Sequence, residues 1–330
     1  YNCMKNLFKL SVAIMATVVL LVGCTKNPED TKNPEGTENT ENTENTENPE
    51  NTENGIFNPT GKIKKMHYSS VGVFPKDLSQ QWTWDGDLLK KIEQVDDDDA
   101  STETTNFQYD GKRISIITEN NKDEEMKCVF VYKDSKIETV TISYDDMKIY
   151  DIEYKYKDGK IVEQKIIPID GFAGGMPPSK NPLRFFVPQK MLSSLNKISA
   201  KRNSKEESLD FVLLYEYEGD NVKVTTSILT TIYGELTYKE TVKQENTYDE
   251  KSNPFYNYPM PSFQEEGMSS QLSKNNCTKI IYYETVEENG VVEQETYTNT
   301  YTYKYDGDLP VEKTLLDEDK NPRSTTNYEY

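Results

Sequence analysis

Histidine and cysteine are scarce in this chain of 330 residues. His67 is the only histidine, and four cysteines are present. A catalytic triad, an imidazole base or a histidine-rich metal site would have to use His67, which stands near the start of the first strand pattern. Cys128 and Cys277 are the two cysteines that lie beyond the predicted signal peptide and lipid-attachment site, and together with His67 they do not have the spacing of zinc ligands. The sequence therefore predicts no metal site and no cofactor, and it singles out no catalytic residue.

Motifs for ion and phosphate binding are also incomplete. Asp96–Asp99 is a run of four aspartates, but the spacing of a calcium-binding loop is absent and Ala100 follows. The glycine-rich stretch 171–175 lacks the strand-to-helix context and the Lys-Ser/Thr end of a phosphate loop. We interpret the first as a solvated turn and set the second aside.

Long apolar runs are absent except at residues 10–22. These 13 residues are too few for a spanning helix, which needs about 20. Lys5 and Lys9 flank the run on one side, and Gly23 and Cys24 follow it, as in a bacterial lipoprotein signal peptide. We predict a signal peptide over residues 1–23, with residues 1–3 upstream of the true start, and lipid attachment at Cys24.

Residues 25–55 contain no aliphatic or aromatic side chain and repeat Thr-Glu-Asn. They hold nine acidic residues and two lysines. Because such a segment cannot bury enough apolar surface to offset the entropy of ordering, we predict a disordered tether over residues 24–55.

Acidic residues exceed basic ones, and the formal net charge is −19. This balance argues against nucleic acid as a partner and leaves the lipid on Cys24 as the predicted contact with the membrane. Cys128 and Cys277 are the remaining cysteines. An envelope compartment would permit a disulfide between them, and two separate core thiols are the alternative.

From residue 56 onward, short runs of alternating polarity recur between Asp-Gly, Asn-Asn and Gly-Asp turns. They predict an all-β fold, an antiparallel meander of β-hairpins in one domain over residues 56–330. Residues 188–202 have helical character. The Gly- and Pro-rich loop 168–182 offers a division into two sub-blocks near 168–208, and residues 248–277 predict a second long, crossover loop with one short turn of helix.

An aromatic residue precedes many of the turns, and an aliphatic residue follows. Five such pairs are five residues apart and two are four apart: Trp84–Leu88, Tyr109–Ile114, Tyr132–Ile137, Tyr144–Ile149, Tyr156–Ile161, Tyr217–Val222 and Tyr305–Leu309. Asp-Gly supplies the positive φ of a tight hairpin turn, so each pair can pack across two strands. The repeat predicts architecture, with each hairpin packed on the next.

The stretches "YKYKDGKI", "YTYKYDGDL" and "FQYDGKRI" resemble the YD-type repeats of Rhs-like proteins. With the cysteine motif, the tether, "TYDEKSNPFY" and the C-terminal "NYEY", the chain looks like Bacteroidetes outer-membrane lipoproteins that carry such repeats. The copies here are few, and nothing indicates an enclosed toxin domain. The resemblance implies a repeat fold and an outer-membrane location on the periplasmic or the outer face, and it brings no established catalytic residues.

Aromatic side chains are the candidates for ligand binding. Trp82 and Trp84 share one strand face, and four further aromatics lie in the irregular loop: Phe255, Tyr256, Tyr258 and Phe263. They could stack on sugar rings, form the buried column of the repeat, or plug the end of the sheet. We expect a non-catalytic binding or scaffold lipoprotein whose partner is a glycan or an envelope protein. The alternatives are a carboxylate-based polysaccharide hydrolase and a purely structural envelope component.

Overall fold

The computed structural model describes residues 61–71, 76–96, 101–121, 124–169, 207–233, 236–257 and 268–330, with residues 183, 186–188, 191, 192 and 194. The predicted signal peptide, Cys24 and the tether lie outside the described residues. All described strands belong to one compact unit, Asn51–Tyr330. Within the described part of the chain, no helix is both long and apolar enough to cross a membrane.

The described chain folds as an antiparallel meander of 16 strands, and the last strand pairs with the first to close a barrel. This confirms the predicted all-β meander of hairpins. The strands are β1 (Lys65–Ser70), β2 (Lys76–Asp85), β3 (Leu88–Asp96), β4 (Thr102–Asp110), β5 (Arg113–Asn121), β6 (Glu124–Lys133), β7 (Lys136–Tyr144), β8 (Met147–Lys157), β9 (Lys160–Pro168), β10 (Glu207–Glu218), β11 (Asn221–Tyr233), β12 (Leu236–Ser252), β13 (Asn275–Glu288), β14 (Val291–Asp306), β15 (Leu309–Leu316) and β16 (Pro322–Glu329).

Two-residue turns join many of these strands. In the turn between β8 and β9, Asp158 and Gly159 have φ values of 51° and 78°. Positive φ at both positions defines the type I′ turn, whose twist matches that of the flanking strands. Other turns begin with a single glycine at positive φ, as at Gly86, which is the type II′ pattern. The turn chemistry thus agrees with the sequence.

The aromatic–aliphatic pairs lie directly opposite each other across six of these hairpins. Trp84 pairs with Leu89 and Tyr305 with Pro310, so all six pairs are five residues apart. The predicted partners Leu88 and Leu309 are therefore wrong by one residue. On the side of each pair that faces away from the turn, the register shifts by one residue, because the second strand carries one extra residue there.

Tyr144 and Ile149 were also predicted to pair, and this was wrong. Tyr144 lies opposite Met147. The register shifts between Ile142 and Ser143, so no residue of β7 lies directly opposite Ile149. Because turns of a meander alternate between the two ends, this turn lies at the end opposite the other six. We call the end that carries the turns at Gly86, Gly111, Asp134, Asp158, Gly219 and Gly307 the repeat end.

The inner face of the barrel is mostly apolar, and the outer face is mostly polar, with apolar exceptions such as Val131 and Ile232. Ile117, Cys128, Val140 and Ile152 are buried with 0% exposure and belong to one interior cluster. The outer face carries threonines, lysines and acids, with cross-strand ion pairs such as Lys155–Glu163 at 2.7 Å. A barrel of 16 strands is wide enough for an aqueous channel, yet here side chains fill the interior.

Two inserted segments contribute to this filling. Leu183, Phe186, Met191 and Leu192 are buried in the interior cluster. Met191, Leu192 and Ser194 are helical, as the sequence predicts for 188–202, and the rest of that stretch lies outside the described residues. The flanking strands β9 and β10 pair directly, so one sheet continues across the predicted division near 168–208.

The segment between β12 and β13 is the second insertion. Strand β12 runs to Ser252 and β13 begins at Asn275, so the irregular part is shorter than the predicted 248–277. It is also not a crossover, because β12 and β13 are antiparallel neighbours. Its described helical turn, Met268–Gln271, agrees with the expected short helix.

Candidate functional site

Both tryptophans contribute to the fold. Trp82 is 4% exposed, and its indole N–H donates a hydrogen bond to Gln80 Oε1 at 3.1 Å. Trp84 is partly buried, packs against the core and donates from Nε1 to the carbonyl of Ile63 at 2.7 Å. The ring of Trp82 offers no face to a sugar, because it is enclosed by the interior.

Among the loop aromatics, Phe255 also points inward. Phe255 is 3% exposed and meets the edge of the Tyr328 ring at 5.8 Å between centroids. Tyr256 is half-buried, and Tyr258 and Phe263 lie outside the described residues. The position of Phe255 fits the plug interpretation rather than an exposed ligand platform.

Asn253 holds this plug in place at the repeat end. Its side-chain amide donates to the carbonyls of Ser270 and Ser273 at 2.6 and 2.9 Å, and its Oδ1 accepts the Phe255 N–H. A cavity of about 20 Å³ remains beneath the plug, between Phe255, Cys277 and Tyr303. That volume suits one water molecule, and no carboxylate lines the cavity. It therefore lacks the acid pair that a glycoside hydrolase needs.

Cations and tyrosines alternate around the repeat end. A lysine or arginine of one hairpin lies over the tyrosine ring of the next, at 5.2 to 5.7 Å from the centroid: Lys90–Tyr109, Arg113–Tyr132, Lys136–Tyr156 and Lys160–Tyr217. These contacts link successive hairpins by cation–π attraction. The lysines of the repeat are thus part of the fold and are not solely a solvated surface.

Tyrosine hydroxyls add hydrogen bonds between hairpins. Tyr109 donates to the carbonyl of Leu89, and Tyr248 to that of Val222, both at 2.7 Å. In each case the acceptor is the aliphatic residue of the preceding hairpin pair. The hydroxyl of Tyr132, by contrast, is buried and has no hydrogen-bond partner among the described residues.

Tyr109→Phe and Tyr132→Phe form a matched pair of variants. Tyr109→Phe is expected to lower the free energy of unfolding by about 1 kcal/mol, because it removes a hydrogen bond and leaves a carbonyl without its partner. Tyr132→Phe is expected to be neutral or slightly stabilising, because it removes a buried hydroxyl that has no hydrogen-bond partner among the described residues. Urea unfolding of both variants measures this difference. Equal losses would show that the hydroxyl bonds are not what distinguishes the two positions.

A polar cluster interrupts the apolar interior on β9 to β12. Glu240 is 0% exposed, and its two oxygens accept hydrogen bonds from the hydroxyls of Ser194 and Tyr238, each at 2.8 Å. Gln164 is also fully buried and accepts from the Tyr215 hydroxyl at 3.1 Å. Ser194 belongs to the first inserted segment, so the cluster joins that segment to the wall of the barrel.

Further buried polar groups belong to this cluster. Thr225 lies opposite Gln244, and both are at most 1% exposed. Among the described residues, the hydroxyls of Thr225 and Ser227 and both amide atoms of Gln244 make no hydrogen bond. Buried groups of this kind are normally satisfied by ordered water or by a polar ligand. They can donate and accept hydrogen bonds, but they supply no nucleophile activated by a base.

Sequence reasoning missed this cluster because both faces of β12 are polar. Its inner positions include Glu240 and Gln244, and its outer positions include Lys239 and Lys243. Alternation of polarity identifies a buried face only where the other face differs from it. The one local indication is Val242, an apolar and fully buried residue on the same strand face as Glu240 and Gln244.

The cysteines and the histidine have structural positions. Cys128 lies on β6 and Cys277 on β13, and both are buried thiols that are not joined to each other, so the candidate disulfide is not formed. Nε2 of His67 lies 2.7 Å from Asp77 Oδ1, with both side chains about half exposed. In the part of the chain that the structure describes, no group of three or more ligating side chains is arranged to hold a metal ion.

No protein-family model matches the chain, and no curated protein matches it. Among solved structures, the chain is similar to a porin-like protein from Bacteroides vulgatus ATCC 8482 with 11% identity and a TM-score of 0.36, over 81% of this chain and 98% of the other. It is also similar to a porin-like protein from Bacteroides uniformis ATCC 8492 with 10% identity and a TM-score of 0.42, over 84% and 99% of the two chains. Likenesses this distant carry no argument about function.

Proposed function

We propose that this protein is a lipid-anchored component of the bacterial outer membrane whose barrel works in water as a non-catalytic binding or scaffold module. The observation that carries the proposal is the polarity of most of the barrel wall. Charged and hydroxyl side chains predominate outside and apolar ones inside, except on β10 and β11, where outer residues such as Val212, Ile228 and Ile232 are apolar. A barrel that faces lipid has the opposite arrangement, with an apolar outer band and a polar lumen.

The N-terminal sequence supports the anchor. The signal-peptide pattern ends at Cys24, and a polar, acidic stretch separates that cysteine from the first strand at Lys65. A flexible chain of this length spans about 30 Å or more, which is enough to hold a water-soluble barrel away from a membrane surface. Attachment through one lipidated cysteine would leave the barrel wall in contact with water.

Cleavage within the tether tests the proposal on the protein as it exists in cells. A glutamate-specific protease applied to isolated outer membranes is expected to release the barrel into detergent-free buffer as a folded, monodisperse species. Fatty-acid label is expected to stay with the membrane and to be absent from the Cys24→Ser variant. A barrel that remains in the membrane after cleavage, or that conducts ions when added to planar bilayers, would contradict the proposal.

A further inference from the structure

Strand β14 is longer than β15 beside it, and this leaves part of its edge without a paired strand among the described residues. On one side β14 pairs with β13 from Val291 to Thr300, whereas on the other side its pairing with β15 begins only at Thr300. Residues 291–296 are all exposed, with Val291 at 64% and Val292 at 54%. We call residues 291–296 the β14 edge.

We infer that the β14 edge takes up one additional strand, supplied by an extended, basic segment of a partner protein. An open strand edge presents backbone N–H and C=O groups in the spacing of a sheet, so it is a template for a further strand. Six residues correspond to about 20 Å of strand, which is the usual length of a strand in globular proteins. A short peptide segment is therefore sufficient to occupy it.

The charge of the surrounding hairpin defines the partner. Residues 280–303 contain five glutamates and no lysine, arginine or histidine. Glu293 and Glu295 lie on the same face of the edge, and Glu284 lies directly opposite Glu295 on β13. A segment with lysine or arginine at alternate positions would place its cations beside these carboxylates, because residues two apart on a strand share a face.

The same charges disfavour two other occupants. A second copy that paired edge to edge, with its acidic face on the same side, would bring Glu293 and Glu295 beside their counterparts, and like charges across strands are destabilising. The acidic stretch 25–55 of this chain, with nine acids and two lysines, would meet the same repulsion. A basic strand from a different protein is the occupant that complements the edge.

This inference deepens the proposed binding role and rests on it, but its test does not involve the lipid or the membrane. The purified full chain is titrated with three fluorescent peptides of equal length: one that alternates lysine with threonine and valine, the same composition with a central proline, and an acidic counterpart. Binding is followed by anisotropy, and amide hydrogen exchange is measured across residues 286–300.

The alternating basic peptide is expected to bind and to slow exchange of the amides in residues 291–296 by about tenfold or more. Proline should abolish the effect because it removes a backbone donor and cannot extend the ladder. The acidic peptide is expected not to bind. Equal binding of the proline-containing peptide would overturn the inference, because it would reveal attraction by charge alone.

Charge reversal provides the matched variants. Glu293→Lys with Glu295→Lys is expected to weaken binding of the basic peptide at least about tenfold and to permit binding of the acidic one. Glu216→Lys with Glu218→Lys makes the same change of charge at two exposed positions of β10, a strand distant from the edge, and should leave binding unchanged. Equal effects of the two double variants would contradict the inference. So would a concentration-dependent dimer of the unmodified chain that protects residues 291–296, since that result identifies a second copy as the occupant.

Discussion

Val140→Lys is expected to unfold the barrel, whereas Val131→Lys is expected to leave it folded with nearly unchanged stability. The two valines lie on the adjacent strands β7 and β6 but on opposite faces. Val140 is 0% exposed, and Val131 is 46% exposed. A lysine at position 140 would place its charge in the apolar interior, which costs more than about 4 kcal/mol and rivals the whole stability of an ordinary domain.

The same pair of variants separates a filled barrel from one that faces lipid. In a membrane-spanning barrel, lysine on the outer face costs about 2–4 kcal/mol near the bilayer midplane, whereas the lumen tolerates polar substitutions. Circular dichroism and urea unfolding of both variants give the measurement. A stable Val140→Lys protein together with an unfolded or aggregated Val131→Lys protein would reverse the assignment of the two faces.

Steep loss of stability above pH 10 is the second large effect. Burial raises the pKa of Tyr154 and of Tyr215 well above the ordinary value of 10, and burial raises the pKa of Tyr156 to about 12. Burial also raises the pKa of Tyr109 and of Tyr217. The neutral form of each phenol is thus the one that the fold accommodates.

The sign of the pH dependence follows from proton binding. Below pH 10 these phenols are protonated in both the folded and the unfolded chain, so they produce no pH dependence. Above pH 10 the unfolded chain loses phenolic protons that the folded chain retains, so stability falls as pH rises through the raised pKa values. Each tyrosine that keeps its proton in the folded chain then contributes a loss of about 1.4 kcal/mol per pH unit.

Several tyrosines acting together are expected to cause cooperative unfolding near pH 11, since ordinary domains have only about 5–15 kcal/mol to lose. Tyrosinate absorbance and far-ultraviolet circular dichroism, recorded during one alkaline titration, test this expectation. The two signals should change together. Full ionisation of the tyrosines before the circular dichroism changes would show that the phenols are accessible to water in the folded state.

Local turn chemistry made the hairpins predictable. The Asp158-Gly159 pair identifies its turn because both residues accept positive φ, and the flanking Tyr156 and Ile161 then fall opposite each other. The bulge after each pair was not visible in the sequence. As a result, Trp84 was assigned to Leu88, when one residue further along gives the observed partner, Leu89.

Features that depend on distant parts of the chain could not be predicted. Closure of the barrel pairs Lys65 with Glu329, and no local pattern encodes contact between residues so far apart. Trp82 and Phe255 were candidate ligand contacts because alternation reveals which residues share a face but not which face is enclosed. The polar cluster around Glu240 depends on Ser194, which reaches it from an inserted segment.

Thiol labelling of Cys128 tests the central claim, a filled interior with a water-facing wall, most directly. Cys128 is 0% exposed on the inner face of β6, and Lys127 is its neighbour on the outer face. With a small, water-soluble maleimide and peptide mapping by mass spectrometry, Cys128 of the folded protein is expected to react about a thousandfold more slowly than the thiol in Lys127→Cys. Comparable rates at the two positions would reveal a water-filled lumen and contradict the account.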